Sequence, residues 1–300
     1  MISVIVPHLE QEDALRRCLN SLSSQEGVLQ PVEIIVVDNG SKTPPTAVCN
    51  EFENVTLLRQ LVPGPGPARN LGVANAKGEI LAFIDADCLA DPRWLYAIER
   101  RFMQDRNLNI LGGDVRIAMD DPENPTLLES YEAVFAYRMK EYIAKQGFTG
   151  TGNLAVRANI FAKVGEFGGI NIAEDRDWGQ RALSMGLRTQ YCPEMIVFHP
   201  ARKTMAELVQ KWERHTAHDF EKIQGKSMWR LRWTLRGLAV GVSPAAEVFR
   251  IGLSDRLSGL RSRVLAFLGV VYIRIYRAYL MLSLALGVDA SRLSARWNRT

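Results

Sequence analysis

Residues 80–88 read ILAFIDADC, an apolar run of strand type that stops at two aspartates with one alanine between them. If the strand continues through them, Asp85 and Asp87 point to the same side, because alternate residues of a strand share a face. Two carboxylates that close together favour a protonated form or a nearby cation. A solvated turn is the alternative, because aspartate is common where strands end. The surrounding sequence has to distinguish the two.

Strand-like segments alternate with helical patterns through the first third of the chain. The strands read SVIVP (3–7), EIIVVDNGS (33–41) and NVTLLRQ (54–60), with ILAFI as the fourth. This alternation predicts parallel strands joined by right-handed crossovers. In such sheets, ligands bind outside the carboxyl ends of the strands. Asp38, Asp85 and Asp87 all follow such ends, so we expect them to open on one edge, which disfavours the solvated turn.

The middle of the chain adds further elements at this edge. The pattern predicts a strand at 110–118, an amphipathic helix through 126–145, and a later strand that ends at His199. Between them, IAEDRDWGQRALSMG (172–186) places acidic residues at the start of a helix, where the helix dipole favours negative charge. Beyond His199 the sequence pattern changes to long helical segments rich in Arg and Trp, and no strand is predicted there.

Composition limits the class of protein. The chain is globular in composition, with 47% hydrophobic and 23% charged residues. Its four cysteines show no C-x-x-C pair and no zinc spacing, which predicts buried thiols in a reducing compartment. The short apolar N-terminal stretch has no basic residues ahead of it, so it reads as a first strand rather than a signal peptide. A cytoplasmic location is therefore expected.

Charge is distributed unevenly along the chain. Residues 1–200 carry 19 Lys and Arg against 26 Asp and Glu, a net charge of −7. Residues 201–300 carry 18 against 7, a net charge of +11. This asymmetry predicts an anionic partner for the C-terminal region.

The apolar stretch 261–287 suggests what that partner is. It is interrupted by Arg274 and Arg277, and each uninterrupted part is too short to span a bilayer. Arg256, Arg263, Arg274 and Arg277 fall in one sector at helical spacing, which predicts an interfacial helix whose arginines lie on lipid phosphates. A soluble helical bundle that covers the catalytic domain is the alternative. Nucleic-acid binding is disfavoured because no known motif occurs.

A substrate that explains the acidic edge must engage both carboxylates and an imidazole. A nucleoside diphosphate held through Mn²⁺ or Mg²⁺ does so, because these cations bind carboxylate and phosphate oxygens and Mn²⁺ also accepts imidazole. The cation would neutralise the diphosphate and make it a competent leaving group.

A set of five segments, in order, resembles the family 2 inverting glycosyltransferases with the GT-A fold. The segments are SVIVP, IIVVDNGS, PARNLGVANAKGEILAFIDADC, GTGNLAVRANIFAKVGEFGG and EDRDWGQRALSMG. The resemblance covers about residues 1–200. It implies an α/β, Rossmann-like, mostly parallel sheet flanked by helices, followed here by a basic helical C-terminal region. It also implies a nucleotide-sugar donor, most often one carrying uracil.

The resemblance assigns roles to residues at the donor side. It implies that Asp38 binds the nucleoside base in a corner shared with Pro7 and Glu10. It places Asp85 near the ribose and Asp87 on the metal, with Arg69 near the diphosphate. His199 resembles a further metal ligand, while a structural imidazole is its alternative role, and Asp85 completes the expected metal set.

At the acceptor side, the resemblance implies that Asp175 is the general base, with Glu174 and Asp177 as its rivals. The residues expected at the acceptor are Gly152, Asn153, Glu174 and Trp178. The Q-x-x-R-W motif of processive polysaccharide synthases is absent, which favours addition of a single sugar to a glycan or a polyprenyl-diphosphate-linked acceptor.

The expected domain organisation follows from these assignments. Residues 1–203 form the catalytic domain, with a nucleotide-sugar half to about 110 and an acceptor half over 111–203. Residues 204–300 form the basic helical region, expected on the inner face of the cell membrane. Two other functions stay open, a sugar-1-phosphate nucleotidyltransferase and a catalytically inactive glycosyltransferase-like binding protein.

Overall fold

The computed structural model describes residues 1–288, which divide into two compact units. The first unit comprises Met1–Ala118 and Tyr137–Pro200, and the second comprises Met119–Ala136 and the chain from Ala201 onward. The segment 119–136, expected in the acceptor half of the catalytic domain, therefore belongs with the C-terminal helices.

The first unit is built on an eight-stranded sheet among the described residues, in the order β3-β2-β1-β4-β7-β6-β8-β5. Its strands are β1 (Ile2–His8), β2 (Val32–Asp38), β3 (Val55–Arg59), β4 (Ile80–Ile84), β5 (Leu89–Ala90), β6 (Ile110–Ala118), β7 (Asn153–Arg157) and β8 (Thr189–Pro200). Strands β1 to β4 are mutually parallel, whereas β7 is antiparallel to β4 and β6, and β5 is antiparallel to β8. The mixed α/β fold with a largely parallel first half confirms the expectation.

Helices cover the sheet because its central strands are apolar on both faces. The five residues of β4 are all buried, as are Ile2, Val4, Ile5 and Val6 of β1. The helices of this unit are α1 (Glu12–Ser23), α2 (Thr46–Cys49), α3 (Pro65–Asn75), α4 (Trp94–Gln104), α6 (Met139–Gln146), α7 (Ala158–Val164) and α8 (Glu174–Ser184). In α1, the buried leucines follow helical spacing, and each such side chain contributes about 1.5–3 kcal/mol.

The predicted helix through 126–145 is two helices, α5 (Leu127–Phe135) and α6. A capping box starts α5, in which Thr126 and Glu129 satisfy each other's backbone N–H groups. The chain leaves the helix at Ala136, and Tyr137 then packs against the core of the first unit. The break therefore coincides with the passage of the chain from one unit to the other.

Up to residue 288, the second unit contains α5 and four further helices, α9 (Met205–Ile223), α10 (Trp229–Val242), α11 (Pro244–Gly252) and α12 (Gly259–Ala285). Helix α12 is continuous through Arg274 and Arg277, the two residues that interrupt its apolar sequence. Within residues 1–288, it is the one helix long and apolar enough to cross a membrane by length and composition. Those two properties alone do not show that it does, and 44% of its most apolar window is buried inside the protein.

Candidate active site

The two aspartates of the opening motif lie in a turn rather than on the strand. Strand β4 ends at Ile84, and the Cys88 N–H donates to the Asp85 carbonyl at 3.0 Å to close the turn. Strand alternation therefore does not apply, and the two carboxylates have different partners. The expectation that they stand side by side on one strand face is wrong, although they remain close enough for Asp85 to raise the pKa of Asp87.

Asp87 meets His199 because of how β5 pairs with β8. Leu89 lies opposite Phe198, which brings the turn before β5 next to the end of β8. The Asp87 Oδ2 atom lies 3.6 Å from His199 Nε2. Burial is the main cause that raises the pKa of Asp87, and the neighbouring His199 acts in the opposite sense.

The His199 ring is oriented so that Nε2 is available as a ligand. Its Nδ1 lies 2.7 Å from the Pro200 carbonyl oxygen, which can only accept, so Nδ1 carries the proton in the neutral ring. The Nε2 lone pair then faces Asp87. Tyr137 packs on the ring with centroids 4.9 Å apart. No sequence motif indicates this tyrosine, because it lies in the break between α5 and α6, where the sequence pattern predicts a single helix.

The side-chain set suits a divalent cation. The candidate ligand atoms of Asp87, Cys88 and His199 lie within 4.8 Å of one another. A carboxylate and a neutral imidazole fit Mn²⁺, and carboxylates also fit Mg²⁺. The Cys88 thiol is buried, and burial raises its pKa well above the ordinary value, which matches the expected core thiol rather than a ligand.

Arg69 connects the acidic turn after β4 with the acids at the start of α8. Its Nη2 donates to Asp85 Oδ1 at 2.5 Å and its Nη1 donates to Glu174 Oε1 at 2.9 Å. The side chain is only 4% exposed, so it is not presented as a free ligand for a diphosphate. In this structure Arg69 bridges the two motifs, and its position near a diphosphate stays a prediction. Such charge-assisted pairs hold both carboxylates in fixed positions.

The acids at the start of α8 differ in their partners. Glu174 is paired with Arg69, and Asp177 is paired with Arg181 Nε at 2.9 Å. Among the described residues, Asp175 has no ion pair, and one of its oxygens accepts from the Arg176 N–H at 2.6 Å. Burial raises the pKa of Asp175, and the Glu174 carboxylate adds to this rise. Asp175 is therefore the acid of the three whose carboxylate is free to take a proton.

Asp38 lies beneath a corner formed by the ends of β1 and β2. It is fully buried, with its oxygens 3.3 Å from His8 Nδ1 and from the Ser41 N–H. His8 Nε2 accepts from the Gln11 N–H, so Nδ1 carries the proton and donates to Asp38. A direct contact between Asp38 and a nucleoside base would require this corner to open.

Glu10 shapes the outer part of the same corner. Its backbone has a left-handed φ of 56°, which is uncommon outside glycine. The Glu10 N–H donates to Ser41 Oγ at 2.9 Å, and its carboxylate accepts from the Lys42 N–H at 2.8 Å. Pro7 is half-buried at the end of β1. These residues hold the two strand ends together next to Asp38.

Two residues expected at the acceptor are core residues instead. Asn153 is fully buried, accepts from Trp94 Nε1 and donates to the carbonyls of Asp114 and Met195. Trp178 is 2% exposed and donates to the Gly165 carbonyl, within an aromatic cluster. Neither side chain can reach a substrate, because each uses its polar atoms inside the protein.

Gly152 is required by the position of Asp85. A Cβ at residue 152 would overlap Asp85 Oδ2, whose other oxygen is fixed by Arg69. At Gly150 in the same loop, a Cβ would lie 3.4 Å from Met139 Cε, an ordinary contact. An alanine at residue 150 therefore fits without a shift, whereas an alanine at residue 152 would displace the Asp85 carboxylate.

We therefore expect Gly152→Ala to weaken binding of uridine diphosphate about tenfold, in line with overpacking costs of about 1–3 kcal/mol. Gly150→Ala is the matched control and should bind the nucleotide as the wild type does. Isothermal titration with Mn²⁺ present measures both, and thermal unfolding checks their folding. Equal affinity in the two variants would show that the position of Asp85 does not matter for the donor.

Comparisons with known proteins agree with this fold. The profile of "Glycosyl transferase family 2" matches residues 3–165. Glycosyltransferase AglE of Haloferax volcanii is 32% identical over 218 residues, which are 70% of each chain. Two solved structures share the fold at low identity. The mannosyltransferase PcManGT from Pyrobaculum calidifontis, in complex with GDP-Man and Mn²⁺, has a TM-score of 0.56 at 17% identity and covers 100% of this chain and 88% of its own. S. aureus TarS 1–349 with UDP-GlcNAc has a TM-score of 0.53 at 15% identity, covering 99% and 91%.

The fold is that of the GT-A glycosyltransferases, with the acidic turn and the α8 acids at the carboxyl edge of the sheet. The chain belongs to glycosyl transferase family 2. It is a glycosyltransferase, as the sequence resemblance predicts.

Proposed function

We propose that this enzyme transfers a single sugar from a nucleotide-sugar, with uridine diphosphate as the nucleotide, to a glycan or polyprenyl-diphosphate-linked acceptor. The observation that carries the proposal is the Arg69 bridge, which joins Asp85 of the acidic turn to Glu174 beside Asp175. Through this one side chain, the residues expected to hold the donor and those expected to activate the acceptor are placed at a common edge.

The residues that would hold a divalent cation are Asp87 and His199, with Asp85 completing the set. Their donor atoms, two carboxylates and one neutral imidazole nitrogen, fit Mn²⁺ and to a lesser degree Mg²⁺. When bound, such a cation neutralises the diphosphate and improves it as a leaving group. The mannosyltransferase from Pyrobaculum calidifontis was solved with Mn²⁺, which supports this use of a metal.

Asp175 is proposed as the general base. It is the unpaired acid at the start of α8 among the described residues, and its raised pKa strengthens it as a proton acceptor. It would take the proton from the acceptor hydroxyl as that oxygen attacks the anomeric carbon. The nucleotide leaves from the opposite face, so the configuration inverts. Glu174, fixed by Arg69, and the backbone at Gly152 are proposed to border the acceptor.

The nucleoside is proposed to lie against the corner formed by Pro7 and Glu10, above Asp38. Asp38 is positioned there by His8 and Ser41, and it would meet the base once the corner opens. The second solved relative was determined with UDP-GlcNAc, which supports a uridine nucleotide. Nucleoside binding in this corner would place the diphosphate toward the acidic turn at the end of β4.

We place the enzyme in the cytoplasm, peripheral on the inner face of the cell membrane. The net charge of +11 in residues 201–300 supports an anionic surface as partner. A lipid-linked acceptor would be presented there. No part of the proposal involves nucleic acid.

Release of nucleoside diphosphate tests the proposed reaction. We expect incubation with a panel of nucleotide-sugars, Mn²⁺ and candidate acceptors to yield nucleoside diphosphate, most strongly from a UDP-sugar. Pyrophosphate as the product would indicate a nucleotidyltransferase and contradict the proposal. Binding of nucleotide-sugars without product, across donors and acceptors, would indicate an inactive binding protein.

A further inference from the structure

The second unit exposes an unusual amount of apolar surface. Sixteen large apolar side chains between Met228 and Val288 are exposed, each by 48% or more, against nine in residues 1–200. Single exposed apolar residues are ordinary, but a contiguous set marks a surface that binds something.

Helix α12 carries the longest part of this surface. Six of its exposed apolar residues recur three or four positions apart, namely Leu260, Val264, Leu268, Tyr272, Ile275 and Tyr279. At 100° per residue, they occupy a sector of about 120°. The opposite side of the helix is buried, including Ala266, Gly269, Val270 and Ile273. The helix therefore has apolar residues on both sides, with one side packed against the protein and the other side exposed.

Helix α10 carries a second stripe. Leu231, Leu235, Leu238 and Val242 are exposed within a sector of about 60°. Arg232 and Arg230, both exposed, lie roughly 100° to either side of the stripe at helical spacing. Trp233, on the far side, is fully buried. An apolar stripe with arginines at its flanks is typical of a helix that lies in a membrane interface.

The two stripes face the same side. The helices run antiparallel, because Gly237 lies against Met281 and Gly241 lies against Ala278. These four residues define the line along which the two helices touch. On each helix, at 100° per residue, the exposed stripe lies roughly 80–130° around the axis from that line, in the sense in which residue number increases. In an antiparallel pair, the same rotational sense on both helices leads to the same side. The ten residues of the two stripes therefore form one surface, which we call the α10–α12 face.

Three of the four arginines expected to bind lipid phosphates have their side chains in contact with the protein instead. Arg263 donates to the backbone carbonyls at the end of α11, and Arg274 pairs with Glu247 at 3.2 Å. The Arg277 guanidinium lies 4.0 Å from the centre of the Trp212 ring, and Arg256 lies in the turn before α12. The sector of α12 that carries Arg263, Arg274 and Arg277 is thus the one that faces the protein. The exposed cations are others, among them Lys226, Arg230, Arg232, Arg236 and Arg261.

These contacts favour a bilayer surface over a membrane span. To span a bilayer, α12 would have to separate from α5, α9 and α10 or carry them with it, leaving Arg274 and Arg277 in hydrocarbon at high cost. Lying in the interface leaves those contacts intact and covers only the exposed side. The basic net charge makes an anionic bilayer a better occupant than a second copy of the same basic region.

We propose that the α10–α12 face docks on an anionic phospholipid bilayer, with α10 and α12 lying in the interface and the arginines of α10 on lipid phosphates. The inference rests on the proposed function for its location at the membrane, but it names the face that binds. Its test needs no transferase activity, so the two can fail separately.

Co-sedimentation of the full-length protein with vesicles tests this face. The probe is phosphatidylcholine vesicles with about 30% phosphatidylglycerol, compared with pure phosphatidylcholine. We expect wild-type binding to the anionic vesicles that weakens with salt, and a loss of roughly tenfold or more in Leu235→Ser/Leu238→Ser/Tyr279→Ser. The matched control Leu29→Ser/Met103→Ser/Leu183→Ser changes exposed apolar residues of the first unit and should bind as the wild type does.

A second variant makes the test independent of apolar substitutions. Arg230→Gln/Arg232→Gln should bind the anionic vesicles more weakly and with a smaller salt dependence. Thermal unfolding checks the folding of each variant. Release of nucleoside diphosphate with a soluble acceptor should be unchanged in the triple-serine variant of the α10–α12 face and in the double-glutamine variant. The proposal would be overturned if Leu235→Ser/Leu238→Ser/Tyr279→Ser bound the anionic vesicles as tightly as the wild type, or if the wild type did not bind them. A wild-type dimer that dissociates in the Leu235→Ser/Leu238→Ser/Tyr279→Ser variant would overturn the proposal in favour of self-association. Wild-type protein that stays on neutral vesicles in about 1 M NaCl would overturn it in favour of a membrane span.

Discussion

Asp87→Asn is expected to reduce sugar transfer roughly a thousandfold or more, equivalent to about 4 kcal/mol of lost transition-state stabilisation. Asparagine keeps the shape of the side chain but removes the negative charge that faces His199 at 3.6 Å. Without that charge, the site cannot hold a divalent cation against its hydration, and the diphosphate loses its counter-charge. The measurements are nucleoside diphosphate release and titration of uridine diphosphate with and without Mn²⁺. The affinity should no longer depend on Mn²⁺.

His199→Gln and Asp91→Asn set the scale for this result. His199→Gln should raise the Mn²⁺ concentration needed for half-maximal activity but retain measurable transfer, because the carboxylates and the diphosphate remain. Asp91 follows β5 in the same segment, and its carboxylate accepts from the Arg93 N–H away from His199. Asp91→Asn should therefore leave metal dependence unchanged. If Asp87→Asn kept the Mn²⁺ dependence of the wild type, Asp87 would not be a metal ligand.

The strands of the first unit were predictable because their apolar runs are nearly continuous. The predicted strands 3–7, 33–41, 54–60 and 110–118 match observed strands within three residues at either end. Both faces of the central strands are buried, which removes the alternation of polar residues that would blur such runs. The carboxyl ends then follow from parallel connections, and this placed Asp38, Asp85 and Asp87 at one edge from sequence alone.

Side-chain direction at the site was less predictable. The sequence shows that Arg69, Asn153 and Trp178 lie near the motifs, but not whether their polar atoms meet substrate or protein. Asn153 is turned inward because it satisfies backbone carbonyls of β6 and β8, a demand that arises only once three strands are assembled. Arg69 is likewise fixed by Glu174, which is 105 residues away in the chain.

The C-terminal region shows a second limit of sequence periodicity. Helical spacing correctly groups Arg263, Arg274 and Arg277 in one sector of α12, but it does not say which sector faces the protein. An apolar helix offers two choices, and the buried side of α12 is the one that carries Arg274 and Arg277. Burial lowers the pKa of Arg277 to about 10, and the Trp212 ring partly compensates for that burial. The membrane prediction therefore rests on the exposed leucines and on other cations.

The identity of the base depends on comparing three neighbouring acids whose environments differ. Asp177 and Glu174 are each paired with an arginine, which fixes the direction of their carboxylates. Burial raises the pKa of Asp175, so its carboxyl remains protonated to a higher pH than an ordinary aspartate near 3.9. Because a base must be ionised to act, turnover should fall on acidification, with a midpoint above that ordinary value. This acid limb should report the titration of Asp175 in the enzyme–substrate complex.

Asp175→Asn is therefore expected to lower turnover roughly a hundredfold or more while leaving donor affinity close to that of the wild type. Asparagine preserves the volume at the start of α8 and can still accept from the Arg176 N–H, but it cannot take a proton from the acceptor hydroxyl. Steady-state release of nucleoside diphosphate measures turnover, and titration of the donor measures donor affinity. When turnover is followed as a function of pH, the acid limb should disappear in Asp175→Asn. Asp177→Asn is the matched control on the same helix. It should keep most of the turnover and the acid limb, because the Asp177 carboxylate accepts from Arg181 Nε. If Asp177→Asn or Glu174→Gln lost turnover with donor binding intact while Asp175→Asn stayed near the wild type, the base would be that other acid.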